Sequence, residues 1–214
     1  SNRTSFLPSS VSARMENTLP HEASNSRISY DLWKIMQEEA RIQKDEILVG
    51  LLGSIVLNCD TLCQGIARLL SLKLENTHIN AEILEELFRS FFVSNPQVVE
   101  RVAADILYIY RCDPSVDEHL TPFLFFKGFQ AVQTHRIAHW LWANGRKSLA
   151  RYLQERAASC FAVDIHPAAR IGQRVMFDHG TGIVVGETAV IEDDVILLHN
   201  VTLGSSGKES GDRH

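Results

Sequence analysis

A six-residue period between Ile165 and Val201 constrains the fold more than any other feature of this chain. Every sixth residue in this stretch is apolar: Ile165, Ile171, Phe177, Ile183, Ala189, Val195 and Val201. This period fits neither an α-helix nor an alternating strand. It is typical of hexapeptide repeats, in which each hexad forms one side of a triangular coil and about 18 residues complete a turn. The period predicts a parallel β-helix in which Ile165, Ile183 and Val201 stack in one column.

A second inward residue is expected two positions from each of these anchors, because side chains alternate along a strand. In the early hexads it lies two positions before the next anchor, at Val163, Ala169, Val175 and Thr181. In the later hexads it lies two positions after the anchor, at Val185, Ile191, Leu197 and Leu203. The apolar partner therefore changes side while the anchors continue without interruption.

The residues before Val163 have helical periodicity and predict an all-α domain. We expect a helix from Ser29, a buried helix over Ile47 to Leu57, and helix caps at Asp60, Asn80 and Asn95-Pro96. A long helix is expected from Pro122 to about Ala143, and a last one from Lys147 to about Phe161. Residues 1–28 are rich in Ser and Asn, which favours disorder. The prediction is an α+β multidomain chain with a disordered segment at 1–28, a helical domain at 29–162 and a β-helix at 163–214.

Composition excludes several classes of function. A net charge of −5 gives no electrostatic footprint for nucleic acid. The longest apolar run is too short to span a bilayer, and no signal segment is visible, so a cytoplasmic location is expected. The cysteines have no metal-ligand spacing and are expected to be buried free thiols: Cys59, Cys63, Cys112 and Cys160.

Asp164 and His179 are the first candidates for chemistry, because they lie 15 residues apart and hence near one edge of neighbouring coils. A carboxylate beside an imidazole orients the ring and supports the charge that develops when the ring takes a proton. Such a histidine suits a general base near neutral pH. The alternative, that both side chains only solvate a coil edge, is equally compatible with the spacing. His135 and His139 are four apart on a helix, which favours packing or a solvated face, and no metal site is expected.

Several segments together resemble serine acetyltransferases: Asp164-Ile165-His166-Pro167-Ala168-Ala169, Asp178-His179-Gly180-Thr181-Gly182, Gly186-Glu187-Thr188-Ala189-Val190 and Gly211-Asp212-Arg213-His214. Asp113-Pro114, Lys127-Gly128-Phe129 and Arg136-Ile137-Ala138-His139 extend the resemblance, which runs from about Tyr30 to the end. It implies a left-handed β-helix and trimers that pair into hexamers through the helical domains. It also implies acetyl transfer from acetyl-CoA to the hydroxyl of L-serine, in cysteine biosynthesis, at sites between neighbouring subunits.

The resemblance assigns roles position by position. It implies that His179 is the general base and Asp164 its carboxylate partner. It implies that Asp113 and Asp178 hold the amino group of serine, and that Arg213 and His214 surround its carboxylate. L-cysteine is expected to bind the same groups as a feedback inhibitor.

The loop after Leu203 departs from the family pattern. The family usually has Leu-Gly-Gly-Thr-Gly, whereas here Gly204 is followed by Ser205, which changes the expected fit to coenzyme A. The chain also ends at His214 inside this loop, so we expect a truncated product with weak serine binding and little turnover.

Two other functions are compatible with the sequence. One is acetyl transfer to another small hydroxyl or amino acceptor on the same fold. The other is a binding subunit of a cysteine synthase complex, in which a C-terminal tail, not found in these residues, docks into O-acetylserine sulfhydrylase.

Overall fold

A computed structural model of the protein describes residues 25–204, and these are helical from Asn25 to Phe161. The α-helices are α1 (Asn25–Ile42), α2 (Leu48–Leu52), α3 (Leu62–Leu74), α4 (Ala81–Ser94), α5 (Pro96–Cys112), α6 (Leu120–Phe125), α7 (Lys127–Ala143) and α8 (Lys147–Phe161), and a π-helical turn, Gly53–Leu57, follows α2 directly. Across the described part of the chain, none of the helices has both the length and the apolar character needed to cross a bilayer.

Short polar side chains cap two of these helices. The side chain of Asn80 accepts a hydrogen bond from the Ile83 N–H at 3.1 Å, which confirms the predicted cap of α4. For α3 the predicted cap was wrong by one residue. Thr61 rather than Asp60 accepts the N–H of Gln64 at 3.3 Å. Asp60 instead donates its own N–H to the Gln64 side chain at 2.8 Å.

Two predicted helix starts were also wrong. α1 begins at Asn25 rather than Ser29, whose hydroxyl donates to Glu100 in α5 at 2.6 Å. The long helix expected after Pro122 is two helices, because Phe126 has an extended backbone (φ −86°, ψ 103°) between α6 and α7. This break lets α7 begin directly against the strands that follow.

The apolar run from Ile47 to Leu57 is not the buried helix that its composition predicts. Ile47 is 89% exposed, and only one face of the run is buried. That face consists of Leu52, Ile55 and Val56. A run that is apolar on all sides carries no periodicity to indicate which residues face the core.

After α8 the chain forms short strands in three parallel sheets. The strands are β1 (Val163–Ile165), β2 (Arg170–Ile171), β3 (Met176–Phe177), β4 (Ile183–Val185), β5 (Val190–Ile191), β6 (Ile196–Leu197) and β7 (Thr202–Leu203). Their pairing is β1-β4-β7, β2-β5 and β3-β6, so every third strand returns to the same sheet. One passage through the three sheets is called a coil below. The last helix ends at Phe161 as predicted, and the domain bounds drawn from the sequence stay a prediction.

The first coil is two residues longer than the hexad count predicts. Ile165 lies opposite Val185 rather than Ile183, a step of 20 residues. The same step of 20 relates β2 to β5 and β3 to β6. The second coil has the expected 18, since Val184 lies opposite Thr202. The predicted stacking of Ile165 on Ile183 is therefore wrong for the first coil.

The extra residues lie between Asp178 and Gly182. The Asp178 N–H donates to Leu197 O at 2.7 Å, which keeps the offset of 20 residues between neighbouring coils. The Asn200 N–H donates to Thr181 O at 2.8 Å, in the register of 18. Three residues, 179 to 181, therefore occupy the place that His199 alone holds in the next coil. We call residues 179–181 the inserted segment.

The insertion also explains why the apolar partner changes side in the sequence. Each side of a coil has two inward positions, two residues apart. Before the insertion, the residues of the six-residue period occupy the second of these positions. After the insertion of two residues, they occupy the first. Ile165 and Ile183 are thus both inward and buried, but they are not equivalent positions.

Candidate functional site

His179 lies on the inserted segment with its side chain directed outward. Its backbone is left-handed (φ 57°), a conformation uncommon for residues other than glycine, and Gly180 follows with φ 70°. The imidazole side chain is 76% exposed, and its Nε2 lies 3.9 Å from Asp178 Oδ1. The ring of His199 in the next coil is edge-on to it at 6.0 Å between centroids. Left-handed backbone at a polar side chain is often found at functional sites.

Asp164 lies on β1, at the start of the same sheet that the inserted segment leads into. Its Oδ1 accepts a hydrogen bond from Gln154 Nε2 of α8 at 2.7 Å. Within residues 25–204, no hydrogen bond or ion pair joins it to His179. The two residues do flank one corner, because the Gly182 N–H donates to Ala162 O at 2.8 Å. The pairing of Asp164 with His179 therefore stays a prediction.

The two carboxylates expected to hold an amino group come from different parts of the fold. Asp113 follows α5, and its Oδ1 accepts hydrogen bonds from the N–H (2.8 Å) and hydroxyl (2.7 Å) of Ser115. The carboxylate is thus held in a turn. Asp178 directly follows β3 and has a side chain that is 27% exposed. α5 packs against β3, which places both residues on neighbouring elements.

The predicted coenzyme A and carboxylate residues fall mostly beyond the described part. Gly204 is the last described residue and is exposed. Ser205, Arg213 and His214 lie outside the described residues, so the effect of Ser205 at the usual glycine position stays a prediction.

A buried ion pair between α5 and α7, which the sequence analysis did not predict, also contacts the coils. Asp105 in α5 is fully buried, and its Oδ2 accepts from Arg136 Nη2 at 2.6 Å and from Gln133 Nε2 at 2.8 Å. Its Oδ1 accepts the Val175 N–H, just before β3, at 3.2 Å. The sequence does contain a signal for this burial, because Asp105 falls three residues after Val102 and hence on the buried face of α5.

His135 and His139 also connect α7 to the coils. Their ring nitrogens bond to backbone carbonyls of the first corner, His135 Nε2 to Ala169 O at 3.1 Å and His139 Nδ1 to Pro167 O at 2.8 Å. These contacts confirm that the pair packs. Among the described residues, no group of three or more His, Cys, Asp or Glu side chains could hold a metal. The four thiols are free as predicted, but only Cys59 is buried, since Cys63 and Cys112 are half-buried and Cys160 is exposed.

The burial of His135 predicts a pH-dependent stability. Desolvation, with a smaller effect of His139, lowers the pKa of His135 to about 3, against an ordinary value of about 6.5. Between these values the unfolded chain takes up a proton that the folded chain does not, so the free energy of unfolding falls as the pH falls. From pH 7 to pH 5 this histidine contributes a loss of about 2 kcal/mol.

Urea unfolding at pH 7 and pH 5 checks this expectation. The His135→Gln variant retains a donor for Ala169 O and should lose less stability between the two pH values than the unmodified chain. The matched control is His78→Gln, at an exposed loop histidine. Equal pH dependence in the chain and in His135→Gln would contradict the prediction.

A cavity of about 360 Å³ lies between helices α4, α5 and α7 and strand β2, away from every predicted site residue. It is lined by Phe91, Trp140, His135, Arg101 and Arg170 among others. His135 Nδ1 has no hydrogen-bond partner in the described part, but that atom is closed off from solvent. None of the residues predicted to carry chemistry lines this cavity, so the chemistry is better placed at His179.

The chain is similar to several known proteins. A family model described as "Serine acetyltransferase, N-terminal" matches residues 32–134. Serine acetyltransferase of Haemophilus influenzae is 46% identical over 189 residues, which are 87% of this chain and 71% of that protein. Soybean serine acetyltransferase complexed with serine superimposes with a TM-score of 0.84 at 41% identity, over 86% of this chain and 77% of that one.

Two further solved structures are similar. A serine acetyltransferase in complex with cysteine has a TM-score of 0.83 at 46% identity, covering 86% of this chain and 72% of that one. A complex with CoA has a TM-score of 0.81 at 43% identity, covering 83% and 77%. With this identity over most of both chains, the protein belongs to the serine acetyltransferase family.

Proposed function

We propose that the chain is a serine O-acetyltransferase, which moves the acetyl group of acetyl-CoA to the hydroxyl of L-serine. The products are O-acetyl-L-serine, a precursor in cysteine biosynthesis, and CoA. The observation that carries the proposal is the His179 imidazole, exposed on a segment that the coil does not need and 3.9 Å from Asp178. Family membership supports the choice of serine and acetyl-CoA.

His179 acts as general base in the proposed reaction. Its unprotonated ring nitrogen takes the proton of the serine hydroxyl as the oxygen attacks the thioester carbonyl carbon. The carbon–sulfur bond breaks, and the departing thiolate receives the proton from the imidazolium. Asp164 orients the imidazole through the carboxylate oxygen that Gln154 does not occupy.

Serine is held by charge complementarity at both of its ionic ends. Asp113 and Asp178 bind the ammonium group, and Arg213 and His214 bind the carboxylate, for which a guanidinium is the best-matched donor. L-cysteine shares both groups and binds the same residues as an inhibitor. Gly204 and Ser205 contact coenzyme A.

The coils form a left-handed parallel β-helix in this proposal, with a helical domain at 29–162 and the β-helix at 163–214. Three-sheet pairing supports the parallel β-helix, and membership of the serine acetyltransferase family supports its left hand. Apolar side chains on the outer faces support packing between subunits into trimers and hexamers: Val184, Val190, Ile196 and Leu198.

A thiol-release assay tests the function. With acetyl-CoA, L-serine should give release of free CoA, and threonine or glucosamine at equal concentration should give less than a tenth of that rate. L-cysteine should inhibit in competition with L-serine, because it retains both ionic groups of serine. Faster release with either other acceptor, or no inhibition by L-cysteine, would exclude the assignment.

A further inference from the structure

We propose that Lys127 and Gly128, in the first turn of α7, are positioning residues that fix the backbone of His179. The proposal rests on the proposed role of His179 as general base. It makes the helical domain part of the catalytic machinery through contact with the inserted segment.

The coil itself supports the inserted segment only at its ends. The ladder between coils reaches Asp178, through its N–H to Leu197 O, and resumes at Thr181, whose carbonyl accepts the Asn200 N–H. Between these two points the described backbone bonds are local, such as the Ile183 N–H to Gly180 O at 3.1 Å. A segment outside the ladder needs another element to hold one conformation.

Gly128 supplies that element through direct backbone contact. A Cβ at Gly128 would lie 2.0 Å from Phe177 O, a distance that only a shift of backbone could relieve. A Cβ at Gly180 would lie 3.1 Å from Gly128 Cα, and Gly180 also requires φ 70°. The first turn of α7 thus contacts the chain on both sides of His179, at a separation that two glycines alone permit.

Lys127 adds a side-chain contact to the same segment. Its Nζ donates a hydrogen bond to Thr181 Oγ1. The Thr181 N–H in turn donates to the carbonyl of His179 at 2.8 Å. Lys127 therefore acts on His179 through Thr181, from a helix that begins one residue after the extended backbone at Phe126.

The consequence is a division between binding and catalysis. Among the residues proposed to bind serine and coenzyme A, Asp178 adjoins the inserted segment, but its N–H is held in the ladder by Leu197 O. The others lie elsewhere in the chain, so a displaced inserted segment leaves all of them in place. Misplacement of a base by about 1 Å reduces the chemical step strongly. Loss of the Lys127 contact should therefore lower kcat and leave KM unchanged.

A double-mutant cycle in the full chain tests this. Lys127→Met and Thr181→Val should each lower kcat about tenfold, with KM for L-serine and acetyl-CoA unchanged within twofold and the thermal midpoint unchanged. The double variant should be no slower than either single one, because both remove the same contact. Thr181→Ser, which keeps the hydroxyl, should retain the original kcat. Lys44→Met, at an exposed lysine, is the matched control.

Gly128→Ala should have a larger effect, above a hundredfold on kcat, because the new methyl group meets a backbone carbonyl. Additive losses in the cycle, an increase of KM equal to the loss in kcat, or failure of Thr181→Ser to restore kcat would each overturn the proposal.

An NMR measurement separates this proposal from the proposed function. The ring Cε1–H resonance of His179, identified by its loss in His179→Gln, should shift in Lys127→Met and Thr181→Val but not in Lys44→Met. That shift without serine acetylation by the unmodified chain would disprove the function and uphold the positioning. Serine acetylation by the unmodified chain, with an unmoved resonance and unchanged kcat in the variants, would uphold the function and disprove the positioning.

Discussion

Replacing His179 with alanine is expected to reduce acetyl transfer to L-serine by about 10²–10⁴-fold, the range associated with loss of a general base. The protein should remain folded, because the His179 side chain is 76% exposed and is not part of the core. Asparagine is the better-matched variant, since it adopts the left-handed backbone of this position more readily than alanine does. Both variants should lose kcat in the thiol-release assay, and His179→Asn should keep the original thermal midpoint.

Asp164→Ala should cost less than either change at His179, because an unoriented imidazole still accepts a proton. His78→Ala, at an exposed histidine far along the chain from the coils, serves as the control and should keep full activity. A His179→Asn variant with unchanged kcat would show that another group takes the proton, and the proposed mechanism would be wrong.

Replacing Asp105 with alanine is expected to lower the free energy of unfolding by about 3–5 kcal/mol, the typical cost of breaking a buried ion pair from one side. The Arg136 guanidinium, with a side chain only 5% exposed, would be left without its carboxylate. The Val175 N–H and the Gln133 amide would lose their acceptor at the same time. Urea denaturation at pH 7 measures the change.

The double variant Asp105→Leu with Arg136→Met is the informative companion. Replacing both charges with apolar side chains removes the unpaired ion, so its loss should be smaller than that of Asp105→Ala alone. Asp105→Asn, which keeps one oxygen acceptor, should fall between the two. A loss below about 1 kcal/mol in Asp105→Ala would show that water reaches this junction.

The coils were predictable because burial there follows a simple period. Ile165, Phe177 and Ile183 all point inward, as the count in sixes requires. The register between coils was not predictable, because each side of a coil has two inward positions. The six-residue period of apolar residues continues unchanged when it moves from one of these positions to the other. The two extra residues change the stacking partner of Ile165 without exposing a single anchor.

The helical part shows the opposite limit. Periodicity and caps located most helices. Asp105 and Arg136, however, lie on buried faces, and the burial of each charge is explained only by the ion pair between them. A charged residue on an apolar helix face can be assigned to a buried ion pair only when the relative position of the two helices is known. The contact of Gly128 with Phe177 is likewise invisible in the sequence, since 49 positions separate them.

The inserted segment adds two residues to one corner, and the strand that follows it is unaffected, since β4 still buries Ile183 and Val185. His179, Gly180 and Gly182 all have left-handed backbone, so the segment is a loop rather than a continuation of the strand. A loop at a corner does not transmit the alternation of side chains, and the next strand takes its orientation from its own neighbours in the sheet. Such a scaffold can gain or lose a loop with a polar side chain at a corner, with the core of every later coil intact.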